Sequence, residues 1–131
     1  MVRDLLSDFL VRIRNAQAVG RGTTMVPYSA LTWEVAKLLE REGYIGKSDR
    51  RGKRARKMIE VELVYADDKR GRIEGTRRVS KQARRVYRKS TEMQPFRHRH
   101  GLQIISTSKG LMTSMEARRG RIGGEVLFEI W

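Results

Sequence analysis

Glu125-Val126-Leu127-Phe128-Glu129-Ile130 places Val126, Phe128 and Ile130 on one side of an extended chain and Glu125, Leu127 and Glu129 on the other. A period of two is the signature of a strand with one buried face. Just upstream, Thr113-Ser114-Met115-Glu116 has the spacing of a capping box, in which Thr113 and Glu116 satisfy each other's exposed backbone donors. It opens one short helix that stops at Gly120. Further back, 102–107, 84–88 and 72–79 read as strands, so the second half is mainly β with a single short helix.

The first half has a different rhythm. Leu5, Leu6, Phe9, Leu10, Ile13 and Ala16 fall on one arc at helical spacing, predicting a helix over 4–18 with Asp8, Arg12, Arg14 and Asn15 on the outer face. Thr24 to Pro27 reads as a short strand that ends at Pro27 or lies at an edge, because proline cannot donate to a ladder. Ser29 is placed to cap a second helix over 30–42, with Leu31, Val35, Leu38 and Leu39 inward and Gly43 as its stop. Trp33 lies off that arc. Residues 44–47 and 58–65 read as strands, and Arg50–Lys57, with six basic residues in eight, as a solvated loop able to grip phosphates. The fold expected is α+β in two small lobes: 1–68, two helices packed on a short sheet, and 69–131, β-rich with one short helix.

Composition narrows the function. The 131 residues carry 29 Lys and Arg against 15 Asp and Glu, a formal net charge of +14. A compact chain that repels itself so strongly works against a polyanion, and nucleic acid is the commonest one for a basic soluble domain. The charge is uneven: residues 1–68 hold 13 bases and 10 acids, residues 69–131 hold 16 and 5. Cysteine is absent, which removes disulfides, thiolate zinc sites and thiol catalysis. No apolar run approaches the roughly 20 residues of a membrane span. Charges interrupt the first helical pattern, unlike a secretory signal. The expected setting is the cytoplasm or the matrix of an organelle.

Few residues fit catalysis. His98 and His100 are the two histidines, inside Arg97-His98-Arg99-His100, where flanking arginines disfavour a metal cation. No metal, cofactor or small-molecule substrate is expected, and no enzyme. Ser106-Thr107-Ser108-Lys109-Gly110 has phosphate-loop composition without the spacing that wraps a triphosphate. Its hydroxyls suit RNA 2′-OH groups and base edges, and Lys109 a phosphate; on spacing alone an ordinary hydroxyl-rich turn is the plainer reading. Arg77 to Lys89 interleaves bases with Val79, Val86 and Tyr87, and residues 69–89 hold ten Lys or Arg against Glu74 alone. Tyr87 is placed either to stack on a base or to join the core.

Several blocks then fall in the order of one family. Asp8 to Asn15, Pro27-Tyr28-Ser29, Leu39 to Ile45, Arg78-Val79-Ser80 with Arg85-Val86-Tyr87, Ser106 to Thr113, Glu116-Ala117-Arg118 and Ile122 to Leu127 resemble the eighth protein of the small ribosomal subunit, in its bacterial or organellar form. The resemblance spans essentially the whole chain, and Ser106–Thr113 is its most specific part. It implies a structural ribosomal protein that binds the central domain of small-subunit ribosomal RNA early and independently and helps organise the platform, beside the fifth small-subunit protein. It also implies RNA contacts at Ser106, Thr107 and Ser108, with Tyr87 and Glu125 nearby and Arg14, Asn15 and Ser29 from the first lobe. Arg78, Arg85 and Lys109 join these as candidate RNA-binding residues on charge. A translational repressor acting on a messenger mimic of that RNA is the second reading. The chain departs from the family pattern at Gln82-Ala83, where Pro-Gly is usual, at Ala30, where Lys is common, and at Phe128, where the residue is usually small.

Overall fold

The computed structural model describes residues 4–53, 56–94 and 101–131. The chain divides into two compact units, Met1–Ile73 and Glu74–Trp131. The architecture is α+β, with antiparallel sheets in both units.

In the first unit, α1 (Leu5–Ala18) starts at Asp4, whose carboxylate accepts from the Ser7 N–H at 3.0 Å. Leu6, Phe9, Leu10, Ile13 and Ala16 are buried, as the arc predicts, and Asp8 pairs with Arg12 on the outer face at 2.9 Å. Next come β1 (Thr23–Pro27), α2 (Ala30–Arg41), β2 (Ser48–Arg51) and β3 (Met58–Glu62). The sheet order is β1-β3-β2, so β1 is an edge strand and tolerates Pro27 at its end. Ser29 caps α2 reciprocally with Thr32: Ser29 Oγ accepts from the Thr32 N–H at 3.0 Å, and Thr32 Oγ1 from the Ser29 N–H at 2.9 Å.

Three expectations for this unit are corrected. The second strand is Ser48–Arg51 instead of 44–47; Tyr44 and Ile45 turn inward after Gly43, at φ +81°, and serve as core. Arg50 and Arg51 are consequently strand residues, opposite Ile59 and Met58, and not part of a loop. Leu31, expected inward, is 38% exposed, because the buried stripe of α2 runs through Thr32, Val35, Ala36 and Leu39.

Ser48 ties β2 back to α2. Its hydroxyl donates to Glu40 Oε1 at 2.7 Å and its N–H to the same oxygen at 2.9 Å. The hydroxyl bond does most to hold the Glu40 carboxyl below its ordinary 4.5, burial opposing it and the Ser48 N–H and Lys37 assisting. A depressed carboxyl contributes stability above its unfolded pKa and loses it as pH falls through the folded value. Urea unfolding below about pH 4.5 should therefore show wild type losing stability faster than Glu40→Gln; equal acid slopes would remove Glu40 from the acid response.

The second unit comprises β4 (Thr76–Arg78), β5 (Tyr87–Arg88), β6 (Leu102–Thr107), β7 (Gly110–Thr113), α3 (Ser114–Arg119) and β8 (Gly124–Ile130). Its order is β4-β8-β6-β7, with β5 also pairing β8. The strands expected at 72–79 and 84–88 are shorter than their sequence patterns, and β7 is an addition to them. Thr113 and Glu116 form the capping box. Met93, Ile105, Ala117 and Val126 make a buried cluster, against which Val79, Val86, Met112 and Ile122 pack.

The β8 alternation is broken by a bulge. Ile104 faces Phe128 and Ile105 faces Val126, leaving Leu127 as the extra residue. Leu127 is buried, whereas strict alternation grouped it with the acidic face. A bulge lets neighbouring residues on one strand share a face.

Candidate nucleic-acid interface

One cross-strand row organises the candidate residues of the second unit. Leu111 pairs with Ser106, Ser106 with Glu125, and Glu125 with Tyr87, so the row crosses β7, β6, β8 and β5. Directly opposed residues of antiparallel strands share a face. Residues far apart in sequence thus form one hydroxyl–carboxylate–phenol line. The Gly123-Gly124 pair makes this close approach feasible. A Cβ at Gly124 would collide with the Ser106 carbonyl, and one at Gly123 would lie 2.8 Å from the Arg88 carbonyl.

The hydroxyls beside this row have different work. Thr107 Oγ1 accepts from the Lys109 N–H at 3.1 Å and donates to the Gly110 carbonyl at 2.7 Å, pinning the β6–β7 turn. Gly110 takes φ +103°, a backbone state that suits glycine as the chain re-enters β7. Ser108 and Lys109 stand exposed at the turn. Among the described residues the Ser108 hydroxyl has no partner. Thr107 therefore shapes the turn while Ser108 is available to a ligand.

Tyr87 is 65% exposed, which removes it from the core. Glu125 is mostly covered, and Arg85 holds both its oxygens, at 3.1 and 3.4 Å. That pairing neutralises an acid on a face otherwise suited to anions and fixes it between Ser106 and Tyr87. Arg78 is half-buried and donates to the Ser80 carbonyl at 2.7 Å.

Around Tyr87 lies a concave pocket of about 620 Å³, whose charged lining is Arg77, Arg78, Lys81, Arg84, Arg85 and Arg88, with no acid among the lining residues. Ser80, next to the lining residues, ties the two ends of this segment together: its buried hydroxyl accepts from the Val86 N–H at 2.9 Å and donates to the Val86 carbonyl at 3.3 Å. Lys81 and Arg84 exchange backbone bonds of 2.8 and 2.9 Å, so Gln82-Ala83 closes a tight turn. Arg77, Lys81, Arg84 and Arg88 were not singled out from sequence; their only signal there was the charge density of the segment.

The remaining candidates belong to the first unit. Arg14 and Asn15 are exposed on the outer face of α1, while the Ser29 hydroxyl is engaged in its helix cap. The pair His98 and His100 lies outside the described residues. Among the described residues no three His, Cys, Asp or Glu side chains gather into a metal-binding group, and no helix is long and apolar enough to cross a membrane.

Fold and surface together define a small, strongly basic α+β protein with six cations gathered around one concave pocket. The family model for ribosomal protein S8 matches residues 4–131. The chain is 43% identical over 129 residues to small ribosomal subunit protein uS8 of Syntrophus aciditrophicus (strain SB), covering 98% of this chain and 97% of that protein. Identity and coverage are the same with uS8 of Crocosphaera subtropica (strain ATCC 51142 / BH68). With uS8 of Rubrobacter xylanophilus, identity is 40% over 126 residues, 96% of each chain. The chain belongs to the ribosomal protein S8 family, and as such is a structural ribosomal protein and not an enzyme.

Proposed function

We propose that the chain is a primary ribosomal RNA-binding protein of the small subunit, holding the central domain of the RNA and helping to assemble the platform. The observation that carries this reading is the Ser106–Glu125–Tyr87 row beside a pocket lined by six cations. Cations supply affinity that is indifferent to sequence, whereas positioned hydroxyls and an aromatic face select unpaired bases and 2′-OH groups. Residues 69–131 act as the main RNA-binding lobe. Tyr87 stacks on a displaced base, Ser106 and Ser108 meet sugar or base edges, and Arg78, Arg85 and Lys109 meet phosphates. Thr107 contributes by fixing the turn, and Glu125 by orienting donors at the row. Arg14, Asn15 and Ser29 are assigned to the same RNA through the family resemblance. The expected protein neighbour is the fifth small-subunit protein, and the setting the ribosome of a bacterial cytoplasm or an organelle.

Crosslinking to small-subunit RNA, mapped to nucleotides and residues, tests partner and site together; equal affinity for cognate and scrambled hairpins would sink the reading. A sharper test uses Ser108→Ala. Losing one hydrogen bond at a desolvated interface costs about 1–3 kcal/mol. Because Ser108 has no described partner in the free protein, cognate affinity should fall by that amount with the unfolding midpoint unchanged. An unaltered cognate affinity would take Ser108 out of the site.

A further inference from the structure

The first unit carries a cation–aromatic cluster that the proposed site does not use. Trp33, off the apolar arc of α2, sits near Tyr28, ring centroids 6.3 Å apart and planes at 44°. The Arg50 guanidinium, carried by β2, lies 4.7 Å from the Trp33 centroid and 5.3 Å from that of Tyr28. The Lys37 ammonium is 4.5 Å from Trp33, and Lys57 is 5.8 Å from Tyr28.

The Lys57 side chain, like that of Arg50, makes only ring contacts among the described residues, but the other neighbouring cations are already engaged. Arg51 pairs with Glu60 at 3.6 Å and with Asp49 at 3.8 Å, and Lys47 with Asp49 at 3.8 Å. Lys37 donates to the Ser48 carbonyl at 2.9 Å and reaches Glu40 at 3.3 Å. Arg50 differs. Among the described residues it makes no hydrogen bond and no ion pair, and its only contacts of charge are the two rings. A guanidinium stacked on aromatic faces keeps its N–H edge free and loses less conformational freedom when that edge binds. A planar fork of donors with no internal acceptor, held beside two further cations, fits a phosphodiester group. A strand also presents this side chain more rigidly than the loop its basic run implied.

We propose that the Trp33–Arg50–Tyr28 stack is a second RNA-contacting surface, at which Arg50 takes backbone phosphates without regard to sequence. The inference rests on the chain being an RNA-binding protein, and goes beyond the residues assigned above. Its test is RNA titration of the full-length protein at several salt concentrations, using a scrambled hairpin. Arg50→Gln should weaken scrambled-hairpin binding about 3- to 10-fold at low salt and reduce the magnitude of the log–log salt slope by about 1. Trp33→Leu, which leaves net charge unchanged, should weaken the same binding by removing the stack. In a Trp131→Phe background, the fluorescence of Trp33 should change on adding the hairpin. Unchanged affinity and slope in Arg50→Gln would overturn the proposal while leaving the RNA-binding reading intact; no RNA binding by wild type would overturn both. A Trp33 response to polyglutamate that exceeds the response to RNA would assign the surface to an acidic protein instead, and would also overturn it.

Discussion

Raising monovalent salt from about 50 to about 200 mM should weaken RNA binding by roughly 10³-fold, the largest effect expected for this protein. The argument starts from the six cations lining the pocket around Tyr87. If each meets one phosphate, the pocket alone releases about six condensed counterions, and its share of the log–log slope is about −5. The ion pairs of Arg77 and Arg85 with acids do not remove this response. Arg77 stays exposed beside Glu129 at 3.7 Å, and Arg85 keeps exposed donors while holding Glu125. Filter binding or fluorescence titration at four or five salt concentrations checks the slope. A slope near zero would mean the pocket does not face phosphate. Ser108→Ala should lower the whole line without tilting it, since no charge is removed. The two experiments thereby separate attraction from choice of site.

Phe128→Ala should cost about 3–5 kcal/mol of stability. Phe128 has no exposed surface and stands on the central strand, opposite Ile104 on one side and Arg78 on the other. Truncation loses the transfer free energy of the ring and leaves a cavity that paired strands on both sides cannot easily close. Small domains have about 5–15 kcal/mol in total, so the variant would be near its limit. Urea unfolding, followed through Trp131 in a Trp33→Phe background, reads the second unit. A loss below about 1 kcal/mol would mean the strands close over the gap.

Much of the fold is legible because its signals are local. The arc from Leu6 to Ala16, the Ser29 cap and the Thr113–Glu116 capping box each act within one or two helical turns, and the structure repeats them. Strands were harder. Gly110–Thr113 has no alternation to announce it and becomes a strand only because β6 supplies partners. Arg50-Arg51 reads as a loop by charge, yet pairing with Ile59 and Met58 makes it strand. Leu127 misled because a bulge, which is a property of two strands, reset the register.

The candidate site divides in the same way. Net charge, its concentration after residue 68 and the ordered blocks from Asp8–Asn15 through Ser106–Thr113 to Ile122–Leu127 are linear properties, and they sufficed for the family and for a polyanionic partner. The division of labour among neighbours was not linear. Thr107 and Ser108 are adjacent hydroxyls, but only folding makes one a structural clasp and leaves the other without a described partner. Tyr87, ambiguous between core and surface, became a surface residue when β5 paired with the outset of β8. Arg50, one base among six in its run, was set apart by two rings brought to it from α2 and the segment before it. By itself the sequence determined helix ends, overall charge and kinship, since these depend on residue type and short-range spacing. Tertiary structure alone decided which cations converge, which hydroxyl has no partner among the described residues and which arginine lies against two rings, because strand register and desolvation arise from partners distant in the chain.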